Sequence, residues 1–425
     1  MFYQYKASRN TALPRQHLHR NSIVKMLCSV LFALLISSCN GSDPESTAGQ
    51  GDLVSWTAHS SPFKSDIGAA IALEVLQTAN LIYDVSCYSL VYKTTDVNDA
   101  LIDASGLLCL PNGKSGAGPL LSFQHGTIFN KADAPTTLDS SYYWTGPLFA
   151  SMGYIAVVPD YLGYGASGSI LHPYLHAKTL SSSAVDMLRA AKRFLALPEI
   201  NTATDGRLFL AGYSEGGYAT LAAQRSLEGL PTEFTVTVSE PGAGPYDVSG
   251  TFASQVNLPT VNRPAYMAFL VKSYDMVYIR PSKVTYYFTP SAAAQLDTLF
   301  AGNLSSGAIS GALGGETIPI NTLFNQTFLD SFNGSGEADL KAALVANDIY
   351  NWKPSAPTIF FHGQDDDLVP YANSVKAVQT MQANGAPSVS LHDCNAGPFP
   401  TTHENCGVPY LVDLLQTFGP IAGSL

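Results

Sequence analysis

The stretch Leu208-Phe209-Leu210-Ala211-Gly212-Tyr213-Ser214-Glu215-Gly216-Gly217-Tyr218-Ala219-Thr220-Leu221-Ala222-Ala223 decides how the rest of this 425-residue chain is read. Its first four residues form an uninterrupted apolar run, the pattern of a strand buried on both faces. Its last six favour a helix. Between them a serine stands with a glycine two places before it and another two places after. A serine on so tight a strand-to-helix turn is forced into a strained backbone conformation, and small neighbours at those two places avoid a collision. The turn presents Oγ over the end of the sheet, and the helix N-terminus beneath it favours developing negative charge. Ser214 is the candidate nucleophile. A glycine-rich turn without chemistry is the plainer alternative, and the strand before and the helix after argue against it.

Outward from this turn the same short apolar runs recur at 120–123, 154–158, 234–238 and 358–361. Helical spacing fills the gaps: Ala184, Leu188, Ala191 and Leu195 follow i, i+4, i+7, i+11, and Val375, Val378 and Met381 follow i, i+3, i+6. A further helix is expected over 66–80, and two longer strand-like stretches at 88–94 and 100–110. Strands alternating with helices predict an α/β fold with a mostly parallel sheet covered on both sides, opened by an antiparallel hairpin. One stretch breaks the rhythm. From about 248 to 352, roughly 105 residues separate two strands, more than a connection inside a sheet needs, so this segment is expected to be an inserted subdomain.

Composition bounds the rest. With 46% hydrophobic and 13% charged residues the chain is neither disordered nor fibrous. Residues 1–39 carry Lys6, Arg9, Arg15, Arg20 and Lys25 and no acid, which leaves 17 cations against 33 anions downstream. So acidic a remainder disfavours nucleic acid as a partner. The cationic head is followed by the apolar run 26–36, too short to span a bilayer and suited to the core of an export signal. It ends in Ile36-Ser37-Ser38-Cys39, which resembles a bacterial lipobox. On that reading 1–39 is a signal peptide, Cys39 is lipidated, and 40–65 is a small-residue tether. The protein is then exported, as an outer-membrane lipoprotein or a periplasmic or secreted protein. An ordinary signal with a chance cysteine is the alternative.

Beyond the head, Cys87, Cys109, Cys394 and Cys406 remain. Four cysteines in an exported chain suggest two disulfides, with three possible pairings. Cys87 and Cys109 both lie eleven residues from position 98, within the turn-like Asp96-Val97-Asn98-Asp99. A symmetric hairpin places them opposite each other at bridgeable distance. Cys394 and Cys406 then close a short loop. Four buried free thiols are the other possibility. The cysteine and histidine spacings match no zinc site, no dinucleotide or phosphate fingerprint is present, and no cofactor is expected.

With its strand and helix, Gly212-Tyr213-Ser214-Glu215-Gly216-Gly217 resembles the nucleophile elbow of the α/β-hydrolase superfamily, and the resemblance covers roughly residues 85–420. Together with Pro159-Asp160-Tyr161-Leu162-Gly163-Tyr164-Gly165 and the long insertion, the motif is most similar to the secretory lipase group. The resemblance implies an α/β-hydrolase catalytic domain over 66–425 with a mainly helical cap at about 248–352. It also implies a triad in the chain order Ser, Asp, His. Asp366 matches the superfamily's acid, three residues after Gly363 and three before Val369-Pro370; Asp365 and Asp367 are its adjacent rivals. His403 is the candidate base, in a loop after the strand at 389–391. His392, at the end of that strand, competes with it. The oxyanion donors implied are the backbone N–H groups of Glu215 and, from His125-Gly126-Thr127, of Thr127. The His125 side chain and Asp160 are expected to be structural. The expected activity is serine hydrolysis of hydrophobic carboxylic esters, with no protein partner indicated. Polyester depolymerisation, peptide cleavage and a non-catalytic binding lipoprotein are the alternatives.

Overall fold

The computed structural model describes residues 49–59, 64–137 and 144–423. The expected signal peptide, the lipobox and Cys39 lie outside the described residues. The strands, in chain order, are β1 (Leu53–Ala58), β2 (Val85–Thr95), β3 (Leu101–Pro111), β4 (Gly118–Gln124), β5 (Ile155–Pro159), β6 (Thr204–Tyr213), β7 (Val236–Gly242), β8 (Thr260–Asn262), β9 (Thr317–Pro319), β10 (Thr358–His362) and β11 (Val389–Asp393). Among the described residues nine of them form one sheet in the order β1-β2-β3-β5-β4-β6-β7-β10-β11. Pairing is antiparallel from β1 through β3 to β5 and parallel from β5 to β11. β4, β5 and β7 are almost wholly buried, as is the 208–212 part of β6, which is why they read as continuous apolar runs rather than alternating ones.

The order reverses between β4 and β6. The chain leaves β4 toward β5 on one side and returns to β6 on the other. In an open sheet this switch opens a crevice outside the carboxyl ends of the two strands, where ligands bind. The candidate nucleophile follows β6, the candidate acid follows β10 and the candidate base follows β11, all at carboxyl ends.

The hairpin β2–β3 pairs Cys87 directly with Cys109, in a register centred on position 98, and a disulfide joins them. A second disulfide joins Cys394 to Cys406.

Two expectations at the N-terminal side are corrected. The predicted tether does not extend to 65, because Leu53–Ala58 forms the edge strand β1 on β2. Small polar residues before it mask a strand-forming Leu-Val-Ser-Trp-Thr-Ala segment, five of whose residues are exposed, so no burial pattern marked it. The single helix expected at 66–80 is two, Lys64–Ala70 and Leu73–Thr78. The chain is extended at Ala72 (φ −59°, ψ 144°), while Ile67, Ile71 and Val75 all remain buried.

Between β7 and β10 the chain builds helices, the longest Pro264–Tyr278, and the two-stranded β8–β9 ribbon. This segment has no core of its own. Its Phe252, Phe269, Phe300 and Phe328 belong to one buried cluster with Phe129, Tyr174 and Tyr218 outside it. A second cluster packs Val185, Leu188 and Phe194 of helix Ala177–Leu195 against Leu108, Val157 and Leu210 of the sheet.

The Cys87–Cys109 bridge closes a loop of separation 22 in a hairpin at the antiparallel side of the sheet. Replacing both cysteines by serine is expected to cost about 2–4 kcal/mol of unfolding free energy. A denaturant midpoint equal to that of the parent protein counts against a stabilising role.

Candidate active site

Three local features force the elbow into shape. Ser214 sits at φ 62°, ψ −125°, a region costly for a side-chain-bearing residue. Its N–H donates to the Gly242 carbonyl at 2.9 Å, tying the end of β6 to the end of β7, and its own carbonyl accepts from Tyr218 N–H at 3.1 Å. The two flanking glycines are needed for close approach. A Cβ on Gly212 or Gly216 would stand 2.5 or 2.0 Å from the carbonyl oxygen of Gln124, the last residue of β4. Without side chains there, the elbow presses against β4, so the serine comes to lie beside the loop that continues from Gln124 into His125-Gly126-Thr127.

The structure brings Ser214, His403 and Asp366 together. Ser214 Oγ lies 2.8 Å from His403 Nε2, and His403 Nδ1 lies 2.6 Å from Asp366 Oδ2. With the Nδ1 proton donated to the carboxylate, Nε2 is left to accept the serine proton. Asp366 is fully buried and its remaining oxygen accepts from Leu368 and Val369 N–H at 2.9 and 2.8 Å. Burial alone pushes this carboxyl up; the imidazole of His403, helped by that of His362 at 3.1 Å, outweighs it and holds Asp366 well below the usual carboxylate range. The acid therefore stays ionised in any ordinary buffer.

The rival residues have other partners. Asp365 accepts from Thr401 N–H and hydroxyl at 3.2 and 3.0 Å, and Asp367 accepts from His403 N–H at 3.2 Å. Both carboxylates thus fasten the acid loop to the base loop. His392 pairs with Asp413 at 2.8 Å, away from Ser214. The His125 ring bonds the Gly126 and Asp160 carbonyls, and the Asp160 carboxylate accepts from Ser105 and Thr136, which makes both scaffold for the loops.

Of the expected oxyanion donors, Glu215 begins helix Glu215–Glu228 directly after the serine. Thr127 reaches the site through Tyr174: its hydroxyl donates to the Tyr174 hydroxyl at 3.2 Å, and Tyr174 lines the same cavity as Ser214. The cavity holds about 60 Å³, between Ser214 and the apolar side chains of Leu175, Val248, Phe252, Met267 and Leu270.

Sequence reasoning missed several supports. Tyr213 donates its hydroxyl to the His403 carbonyl at 2.9 Å and stacks near its ring; burial, then the nearby Asp366 charge, push the phenol up and keep it a donor. Tyr410 accepts from Gly212 N–H and donates to the Glu240 carbonyl. The Glu215 side chain meets His172 at 2.7 Å, and His172 reaches the Leu162 carbonyl at 2.6 Å, which anchors the elbow to the loop after β5. Each partner comes from a distant segment, and the only signal was an aromatic or charged residue next to a motif. Among the described residues no group of His, Cys, Asp and Glu is arranged to hold a metal ion.

Comparison with known proteins bears on the fold and the class of enzyme. A model of the prolyl oligopeptidase family matches residues 140–278, less than half of the chain. No curated protein matches. Among solved structures, a protein described as a hydrolase from Legionella pneumophila superposes with a TM-score of 0.74 at 25% identity, covering 86% of this chain and 98% of its own. The ligand-bound rice cell wall degrading esterase LipA from Xanthomonas oryzae gives 0.73 at 26% identity, covering 87% and 98%. Candida antarctica lipase A gives 0.59 at 19% identity, covering 84% and 78%, a likeness of fold alone. By its sheet, its elbow and these likenesses, the chain is a hydrolase of the α/β-hydrolase fold.

Proposed function

We propose that the protein is a serine carboxylic-ester hydrolase in which Ser214 is the nucleophile, His403 the general base and Asp366 its orienting acid. The observation that carries the reading is the run of contacts from Ser214 Oγ to His403 Nε2 at 2.8 Å and from His403 Nδ1 to the buried Asp366 at 2.6 Å, placed at the switch point of the sheet. Ser214 attacks the ester carbonyl as His403 takes the hydroxyl proton. The carbonyl oxygen, now negative, is met by the N–H groups of Glu215 and Thr127. His403 then gives the proton to the departing alcohol, leaving an acyl-enzyme on Ser214. Water, deprotonated by the same imidazole, releases the acid.

The apolar cavity beside Ser214 supports an ester with a hydrophobic acyl group, and its volume limits how large that group is. About 60 Å³ accommodates on the order of four or five water-sized groups. The likeness to the esterase LipA supports ester cleavage. The prolyl oligopeptidase match over 140–278 favours peptide cleavage as the second reading. Polyester cleavage uses the same chemistry on a larger substrate. We also propose export through the 1–39 signal with lipidation at Cys39; an unmodified Cys39 in the mass spectrum of cell-derived protein overturns that part.

Ser214→Ala is expected to lower kcat on p-nitrophenyl esters by at least about 10⁴-fold while leaving the fold intact. Retained turnover removes Ser214 from its role. In a p-nitrophenyl ester series kcat/KM is expected to peak between acetyl and butyryl, and Phe252→Ala to move the peak to longer chains. A parent optimum at lauroyl or beyond contradicts the compact pocket, and faster turnover of a peptide amide than of any ester favours the second reading.

A further inference from the structure

One charged side chain of the cap reaches both the loop that carries the acid and the loop that carries the base, beside a neutral contact in which Gln255 Nε2 donates to the Leu368 carbonyl at 3.1 Å. Arg263 ends β8–loop–helix geometry at the N-terminus of helix Pro264–Tyr278, where its backbone is left-handed (φ 49°, ψ 63°) and its N–H donates to the Glu316 carbonyl beside β9. From there its guanidinium reaches out of the cap with one nitrogen 3.6 Å from Asp367 and another 3.1 Å from Glu404. Asp367 directly follows Asp366, and Glu404 directly follows His403. Asp367 Oδ1 in turn accepts the His403 N–H at 3.2 Å. Three, four and seven residues after Arg263, the same helix supplies Tyr266, Met267 and Leu270 to the wall of the cavity at Ser214.

We propose that Arg263 is a positioning residue that latches the cap to both loops of the triad, so that one fork of charge ties the placement of the base to the helix that walls the pocket. The inference rests on the reading of Ser214, His403 and Asp366 as the reacting groups. Arginine suits the task because its planar guanidinium offers separate N–H donors in a rigid fork, able to serve two carboxylates at once. Without it, the carboxylates of Asp367 and Glu404 lose the cation they share, and the base loop loses this charged tie to the cap. Arg263 is one-fifth exposed, Asp367 and Glu404 more so, which makes the latch weak as a source of stability and sensitive to salt. Its effect is on placement: a small displacement of His403 from Ser214 lowers the rate without unfolding anything.

The test compares Arg263→Ala, Arg263→Lys, Glu404→Gln and Ser214→Ala on p-nitrophenyl butyrate, at low and high ionic strength. Arg263→Ala is expected to lower kcat on the order of tenfold, with the smaller change in KM, and to regain part of it when tens of millimolar guanidinium replace sodium at equal ionic strength. Arg263→Lys, which keeps one contact of the fork, is expected to fall between. The kcat of the parent protein declines with salt, and that of Arg263→Ala does not. Parent-like kcat in Arg263→Ala at low salt overturns the latch, as does a loss confined to KM. Should Arg263→Ala fail to fold, Glu404→Gln decides: a reduced salt dependence supports the latch, and an unchanged one overturns it. Ser214→Ala keeps the two readings apart. If it stays active the triad assignment falls, whereas an inactive Ser214→Ala beside a parent-like Arg263→Ala overturns the latch alone.

Discussion

A single backbone conformation constrains the whole site: Ser214, a residue with a side chain, at φ 62°, ψ −125°. Such a conformation costs on the order of 1–3 kcal/mol and persists only when its surroundings over-determine it. Here they do so from every side. Ser214 is fixed to the end of β7 by its N–H and to the first turn of helix Glu215–Glu228 by its carbonyl. Gly212 is held by Tyr410 from the C-terminal helix Gly407–Ala422, and the Glu215 side chain by His172. The glycines at 212 and 216 let the turn sink against the end of β4. Strain at the serine is thus offset by contacts from four separate parts of the chain, and the site exists only when all of them have folded.

The same logic separates what was legible in the sequence from what was not. The elbow could be read because its requirements are local: an apolar strand, two small residues at fixed places, a helix former after. The β2–β3 hairpin could be read because symmetry about position 98 sets its register, so Cys87 faces Cys109. Asp366 and His403 were legible through chain order and through resemblance: the spacing between Gly363 and Val369-Pro370 picks out Asp366 by likeness, while the chemistry of the three adjacent carboxylates is the same. What distinguishes them is tertiary: Asp365 meets Thr401, Asp367 meets the backbone of His403, and only Asp366 meets the imidazole. Three adjacent carboxylates share one loop but meet different groups of the base loop, the Thr401 hydroxyl, the His403 imidazole and the His403 N–H, all more than thirty positions away. The β1 strand was missed for a different reason. An edge strand with its side chains in solvent has no buried face, and therefore no periodicity to betray it.

The cap shows how much a connection can become part of a core. Phe269 stacks on Phe300 within the cap and also on Tyr174 outside it, at ring separations of 4.9 Å, while Phe129 packs on Phe269 at 5.3 Å. The cavity-lining Tyr174, Leu175, Val248, Phe252, Met267 and Leu270 belong to the same buried cluster as these rings. Pocket shape and cap attachment thus draw on one cluster.

For protein engineering this shared core makes the cap a graft and not an accessory. Trimming it away uncovers Phe129, Tyr174 and Tyr218 together, a contiguous aromatic surface that invites aggregation. Transplanting a foreign cap succeeds only if the recipient's aromatics are exchanged with it, so substrate range in this fold is inherited as a matched pair of surfaces rather than as a loop.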